Sequence, residues 1–199
     1  QIIIVNIHQL VESGYVSIIL IIRLLVHCVK QLDIVHEVIK MNDFTDFTLE
    51  NYKILLKLCK KNGYKFIGYN DNIMLDEKQI LLRHDVDYSM RRAVKLAEIE
   101  SEEEIKSTYF IFSHSEGYNL YETATSQMVK RIISLGHNIG LHVDYGFIRM
   151  ILKDNSSAEE IVRKEIDEIQ KIYGVNVTAC SFHQPEYQNV LNLCNMKFA

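Results

Sequence analysis

Apolar positions in this chain follow two periods, and the two alternate. Short β-rich runs cover residues 64–69, 79–84, 107–112, 138–142 and 177–183. Between them, apolar residues recur three and four apart, which puts them on one face of a helix. Tyr52, Leu55, Leu56 and Leu58 mark the first helix, with Thr48 as its cap and Gly63 just past its end. Ala93, Leu96 and Ala97, with Met90, mark a second over 90–105, although Glu102, Glu103 and Glu104 read as a solvated turn. A third, over 124–135, stops at Gly136. Ser156-Ser157-Ala158-Glu159-Glu160 carries a capping-box pattern opening a helix to about Tyr173, and Gly174 ends it. Asn70-Asp71-Asn72 reads as a turn. Strands alternating with helices predict βα units on a parallel sheet, an α/β fold. Functional groups in such folds collect at the carboxyl ends of the strands.

Residues 1–42 break this rhythm. They are rich in Ile, Val and Leu, and their densest run is 16–26. Arg23 interrupts that run, which is shorter than the roughly 20 apolar residues that span a bilayer. A buried or partner-packed helix is the preferred reading, ahead of a membrane-associated leader or a wrongly assigned upstream reading frame. The domain is therefore expected over 43–199, with 1–42 as an apolar N-terminal extension. Gln1 in place of Met, and an ending at Met196-Lys197-Phe198-Ala199, read as the ends of a fragment, with the domain cut short at its C-terminal side.

The 199 residues suit one domain, and 48% hydrophobic content suits a packed core. A net charge of -4 with no basic stripe argues against a nucleic-acid partner. Cys28, Cys59, Cys180 and Cys194 form no CxxC pair and read as reduced thiols. With no convincing export signal, the expected compartment is the cytoplasm. Oligomeric state is not legible.

The chemistry concentrates in Leu81-Leu82-Arg83-His84-Asp85-Val86-Asp87. Alternation along a strand places Arg83, Asp85 and Asp87 on one face and His84 on the other. Two carboxylates at one strand end are costly to bury without positive charge between them, and a metal ion supplies it. The simpler alternative is an ion pair with Arg83 or a helix terminus. Asp85, Asp87, His142 and His183 all fall at carboxyl ends of predicted strands. His84 and His137 read as structural, His137 bonding a nearby backbone carbonyl. His8, His27, His36 and His114 carry no pattern.

Set in order, four segments resemble a known family. Arg83-His84-Asp85-Val86-Asp87, Thr108-Tyr109-Phe110, Gly136-His137-Asn138-Ile139-Gly140-Leu141-His142 and Ser181-Phe182-His183-Gln184-Pro185 are similar to motifs of the polysaccharide deacetylase (NodB-like) superfamily. The resemblance is to its divergent branch with an HDVD-type first motif, and it covers about 44–187. It implies a distorted (β/α) barrel holding a divalent metal, usually zinc, that removes N-acetyl or O-acetyl groups from a carbohydrate. By position, Asp85 matches the base, and Asp87 and His142 match metal ligands. Water activated at the metal is the implied nucleophile. Tyr88 and Pro185 are expected to line the sugar site.

The chain also departs from the pattern. The second motif's further histidine is replaced by Gly146, the third motif's arginine is absent, and later motifs have no match. A zinc site with three protein ligands then needs one more. His183 and Asp144 compete for that place, and His183 is preferred because imidazole is the commonest ligand. Two other functions stand beside deacetylation. One is a glycan-binding relative that has lost catalysis. The other reads His84-Asp85 as the metal doublet of HD-type phosphohydrolases, which belongs on a helix rather than a strand.

Overall fold

The structure, a computed structural model, describes residues 2–8, 48–74, 76–152 and 157–183. Its strands are β1 (Ile2–His8), β2 (Lys65–Ile67), β3 (Gln79–Val86), β4 (Thr108–Ile111), β5 (Asn138–Val143) and β6 (Cys180–Phe182). Its helices are α1 (Leu49–Lys61), α2 (Met90–Glu102), α3 (Thr123–Ser134), α4 (Tyr145–Ile151) and α5 (Ala158–Tyr173). All the strand pairs are parallel, in the order β1-β3-β4-β5-β6. β1 runs along β3 from Gln79 to Asp85, while β2 pairs with its start and β4 with its end. The other edge of β3 is therefore shared by β2 and β4. Helical crossovers link β3 to β4, β4 to β5 and β5 to β6, as parallel pairing requires. The sheet curls into an open half-barrel, an incomplete distorted (β/α) barrel among the described residues.

The pleat sorts side chains into two populations. Ile80, Leu82, His84 and Val86 of β3 share a face with Tyr109 and Ile111 of β4 and with Ile139, Leu141 and Val143 of β5. All nine are buried. Against this face pack Met90, Ala93, Leu96 and Ala97 of α2, Val129 and Ile132 of α3, and Val162 and Ile169 of α5. Each large apolar side chain buried there contributes about 1.5–3 kcal/mol. Arg83, Asp85 and Phe110 project from the opposite face, toward the inside of the curl.

Local chemistry sets the helix ends. Thr48 Oγ1 accepts from Asn51 N at 3.1 Å and opens α1. Ser157 and Glu160 form the capping box expected for α5, and Gly174 closes that helix at φ 67°. A positive φ suits glycine because it has no Cβ to clash. α2 ends at Glu102 rather than 105, since Glu104 turns to φ 58° and Ile105 N reaches back to Glu100 O at 2.8 Å. β6 is confined to three residues of the run expected over 177–183. The segment before it is tied to α5 instead, through Val177 N to Gln170 Oε1 at 3.0 Å.

Ile2–His8, part of the apolar extension, supplies β1. The boundary at 42 and the dense run over 16–26 lie outside the described residues. No helix among the described residues is long and apolar enough to cross a membrane. Cys59 and Cys180 are free thiols, and burial pushes both up to about 12.

Candidate functional site

Three strand ends converge at the carboxyl edge of the sheet. Asp87 follows β3, His142 is the penultimate residue of β5, and His183 follows β6. One donor atom from each lies within 4.8 Å of the others. His142 Nε2 stands 3.2 Å from Asp87 Oδ1, and His183 Nδ1 stands 3.6 Å from the same oxygen. Both imidazole atoms are buried, and neither makes a hydrogen bond. Buried polar atoms in that state are rare and call for a partner. The two rings stand nearly perpendicular, at 88°. Nitrogens of both rings and one carboxylate oxygen thus crowd one point, without the alignment that hydrogen bonds need.

The remaining contacts orient these groups. His142 Nδ1 meets Ser181 O at 2.8 Å. Donating there makes Nδ1 the protonated nitrogen and leaves the Nε2 lone pair facing Asp87, the tautomer a metal ligand needs. Phe112, the residue after β4, packs its ring 4.5 Å from that of His142 and 5.3 Å from that of His183. The donor set, one carboxylate oxygen and two imidazoles, suits a divalent ion with an open position.

Asp85 lies on the same face of β3 but is held differently. It is 1% exposed, and the Arg83 guanidinium grips it through Nη2 at 2.7 Å from Oδ2 and 2.8 Å from Oδ1. Arg83 also donates to Ser181 Oγ, and its guanidinium lies 5.0 Å above the Phe110 ring. Phe110 can lie there because its neighbour across the strands is Gly140. A Cβ on Gly140 would fall 2.5 Å from the Phe110 ring and 3.0 Å from Ala179 O. The glycine between the two motif histidines therefore seats the aromatic ring that supports Arg83.

Asp144 is placed elsewhere in the chemistry. Its Oδ1 caps α4, accepting from Gly146 N at 2.9 Å and Phe147 N at 3.3 Å. The structure groups His183, not Asp144, with Asp87 and His142. Gly146, standing where the family pattern has a histidine, occupies the first turn of α4. Tyr88 is 48% exposed beside Asp87, and Pro185 lies outside the described residues.

On the helix-covered face, His84 meets Glu100 of α2 and stacks on Tyr109 at 4.5 Å. His137 Nε2 meets Ala97 O at 2.9 Å. Both histidines are buried away from the convergent ligands, and the doublet His84-Asp85 sits on a strand with its members on opposite faces. Sequence reasoning missed α4 and the part played by Ser181. The pattern Asp144-Tyr145-Gly146-Phe147 held a capping aspartate, obscured by the shortness of the helix it opens. Ser181 had no comparable signal, because its hydroxyl and carbonyl act on residues distant in sequence.

The fold is shared with solved proteins. IcaB from Ammonifex degensii aligns with a TM-score of 0.56 at 11% identity, over 96% of this chain and 79% of that one. The deacetylase PplD of Streptococcus pyogenes, solved in complex with acetate, aligns with a TM-score of 0.52 at 13% identity over the same shares of the two chains. No protein-family model and no curated protein matches the sequence. The fold is thus of the polysaccharide deacetylase type, the architecture that the four motifs resemble.

Proposed function

We propose that this chain is a divalent-metal-dependent carbohydrate deacetylase, acting on N-acetyl or O-acetyl groups of a glycan or glycan precursor. One observation carries the reading: Asp87, His142 and His183 converge with two buried imidazole nitrogens lacking hydrogen bonds. Zinc is the metal proposed, held by Asp87, His142 and His183. An ion there would lower the pKa of water toward about 7 and polarise an acyl carbonyl.

The other parts belong to the chain's own residues. Asp85 accepts a proton from the attacking water, and Arg83 holds that carboxylate in place. Ser181 O fixes the tautomer of His142. Phe112 closes one side against bulk water, and Tyr88 offers an exposed aromatic surface to a sugar. For an N-acetyl substrate, the water oxygen joins the acyl carbon, the C–N bond breaks, the proton taken by Asp85 passes to the leaving nitrogen, and acetate and an amine leave.

The test is zinc stoichiometry by elemental analysis together with release of acetate from N-acetylated glycans. About one zinc per chain, lost in Asp87→Ala, with acetate release lost alongside it, is the expected result. A folded wild-type chain that takes up no metal overturns the reading. A second reading, a glycan-binding relative without turnover, draws on Gly146 and on the close engagement of Asp85 by Arg83. Saccharide binding unaffected by chelators and without acetate release would favour it.

A further inference from the structure

Asp87 lies just past the ladder that positions its neighbours. The pairing of β3 with β4 runs from Arg83 to Val86 and stops there. Asp87 and Tyr88 then bend toward Ser89, the cap of α2. The sheet therefore orients Arg83 and Asp85 directly, whereas Asp87 depends on whatever holds the bend.

The segment between β4 and α3 supplies that hold. The Tyr118 hydroxyl donates to Val86 O at 2.7 Å and accepts from Phe112 N at 2.9 Å. Its one hydrogen and an oxygen lone pair are thus both engaged. Ser115 Oγ donates to Asp87 O at 3.1 Å and accepts from Gly117 N at 3.0 Å. Two consecutive carbonyls, the one before Asp87 and its own, are bound by the same loop. Gly117 permits the approach: a Cβ there would fall 2.5 Å from Tyr88 O and 2.7 Å from Tyr88 Cα.

The ends of these bonds give them a meaning beyond packing. Tyr118 joins two stretches of backbone that serve one cluster. One is Val86, next to Asp87. The other is Phe112, whose ring packs 4.5 Å from that of His142 and 5.3 Å from that of His183. Donors carried by three different strands share a point only if the bend bearing Asp87 keeps its place relative to the other two. Groups that orient metal ligands, without touching the metal, are worth about 10–100-fold in affinity. We propose that Ser115 and Tyr118 are positioning residues: they fix the Asp87 backbone, and through it the carboxylate, so that Asp87, His142 and His183 bind one divalent ion. This role rests on the metal-dependent reading and extends it to two residues that sequence order sets about thirty positions from the ligand they hold.

Cobalt(II) titration of the full chain tests the role, because the d–d absorption of the ion reports coordination geometry as well as occupancy. Tyr118→Phe and Ser115→Ala each remove one hydroxyl. Both should weaken cobalt affinity about tenfold and alter the d–d band, while the metal-free chain still melts cooperatively. Ser115→Thr keeps a hydroxyl and should recover the affinity. Thr48→Ala removes the cap of α1, controls for lost stability, and should leave affinity and band unchanged. Unchanged affinity and band in folded Tyr118→Phe and Ser115→Ala overturn the positioning role. So does a loss of affinity that Thr48→Ala reproduces at an equal drop in melting temperature. Folded wild type that takes up no cobalt removes the metal-dependent reading and the positioning role with it. Cobalt uptake that the two variants leave undisturbed removes the positioning role alone.

Discussion

His84 Nε2 and Glu100 Oε1 stand 2.5 Å apart, with both side chains closed off from solvent. Three further groups converge on the same carboxylate: the hydroxyls of Tyr52, Ser107 and Tyr109. One acid on α2 thereby ties together α1, the end of β3 and the start of β4. Breaking a buried, hydrogen-bonded charge costs more than forming it gains, because the partners stay behind unsatisfied. Glu100→Ala should therefore lower stability by about 3–5 kcal/mol. Urea unfolding near neutral pH, read as the midpoint at unchanged slope, measures this.

The same carboxylate predicts an acid response. Burial alone would raise its pKa, but neighbouring His84 and hydrogen bonds from His84, Ser107 and Tyr52 reverse that and hold it below the ordinary 4.5. A depressed folded-state pKa means that the native state binds this proton less readily than the unfolded chain. The stability it contributes is present above 4.5 and is lost as pH falls through the lower, folded value. Thermal melts of wild type should show that acid limb, and Glu100→Gln should flatten it. Identical pH dependence in the two proteins would remove Glu100 as its source.

Gly140 predicts a substitution effect with a direction through the site. Alanine there places Cβ 2.5 Å from two atoms of the Phe110 ring, far inside contact distance. The ring must shift, and Arg83 rests over it at 5.0 Å. Overpacking of this kind costs typically about 1–3 kcal/mol. Gly140→Ala should lower the melting temperature and reduce turnover while leaving zinc stoichiometry near wild type, because His142 keeps its bond to Ser181 O. A variant as stable and active as wild type would show that the Phe110 ring has room to move.

How much of this was legible in the sequence follows from which physics was local. The pleat is a period of two, so Arg83, Asp85 and Asp87 could be separated from His84 by counting. Capping is a matter of three residues, so Thr48 and Ser157 could be read directly. The carbonyl partner of His137 was expected, although its identity as Ala97, 40 positions away, was not. Long-range contacts left no such trace. Glu100 looked like one acid among several before a Glu-rich turn, and only the packing of α2 on the sheet reveals it as a buried hub. Ser181 is similar: it acts on partners that chain order does not place beside it. Ile2–His8 was not legible as a strand, because a short, mostly apolar run fits a strand or a buried helix equally.

Arg83 separates two accounts of Asp85 that its burial alone leaves entangled. In one, the pair is structural and satisfies a buried carboxylate. In the other, the guanidinium also holds the base in the orientation that catalysis needs. Arg83→Lys keeps a positive charge but loses the fork in which Nε contacts Oδ1 and Nη2 contacts Oδ2 of Asp85. General-base catalysis is worth about 10²–10⁴ in rate, so Asp85→Asn should lower kcat on that scale with zinc retained. If orientation matters, Arg83→Lys should also lower kcat substantially, with KM and zinc stoichiometry little changed and a melting temperature close to that of wild type. If the pair is structural only, the lysine variant should lose stability while the folded fraction turns over at the wild-type rate. Melting curves and kcat per zinc-loaded folded molecule, measured side by side on the three proteins, distinguish the two.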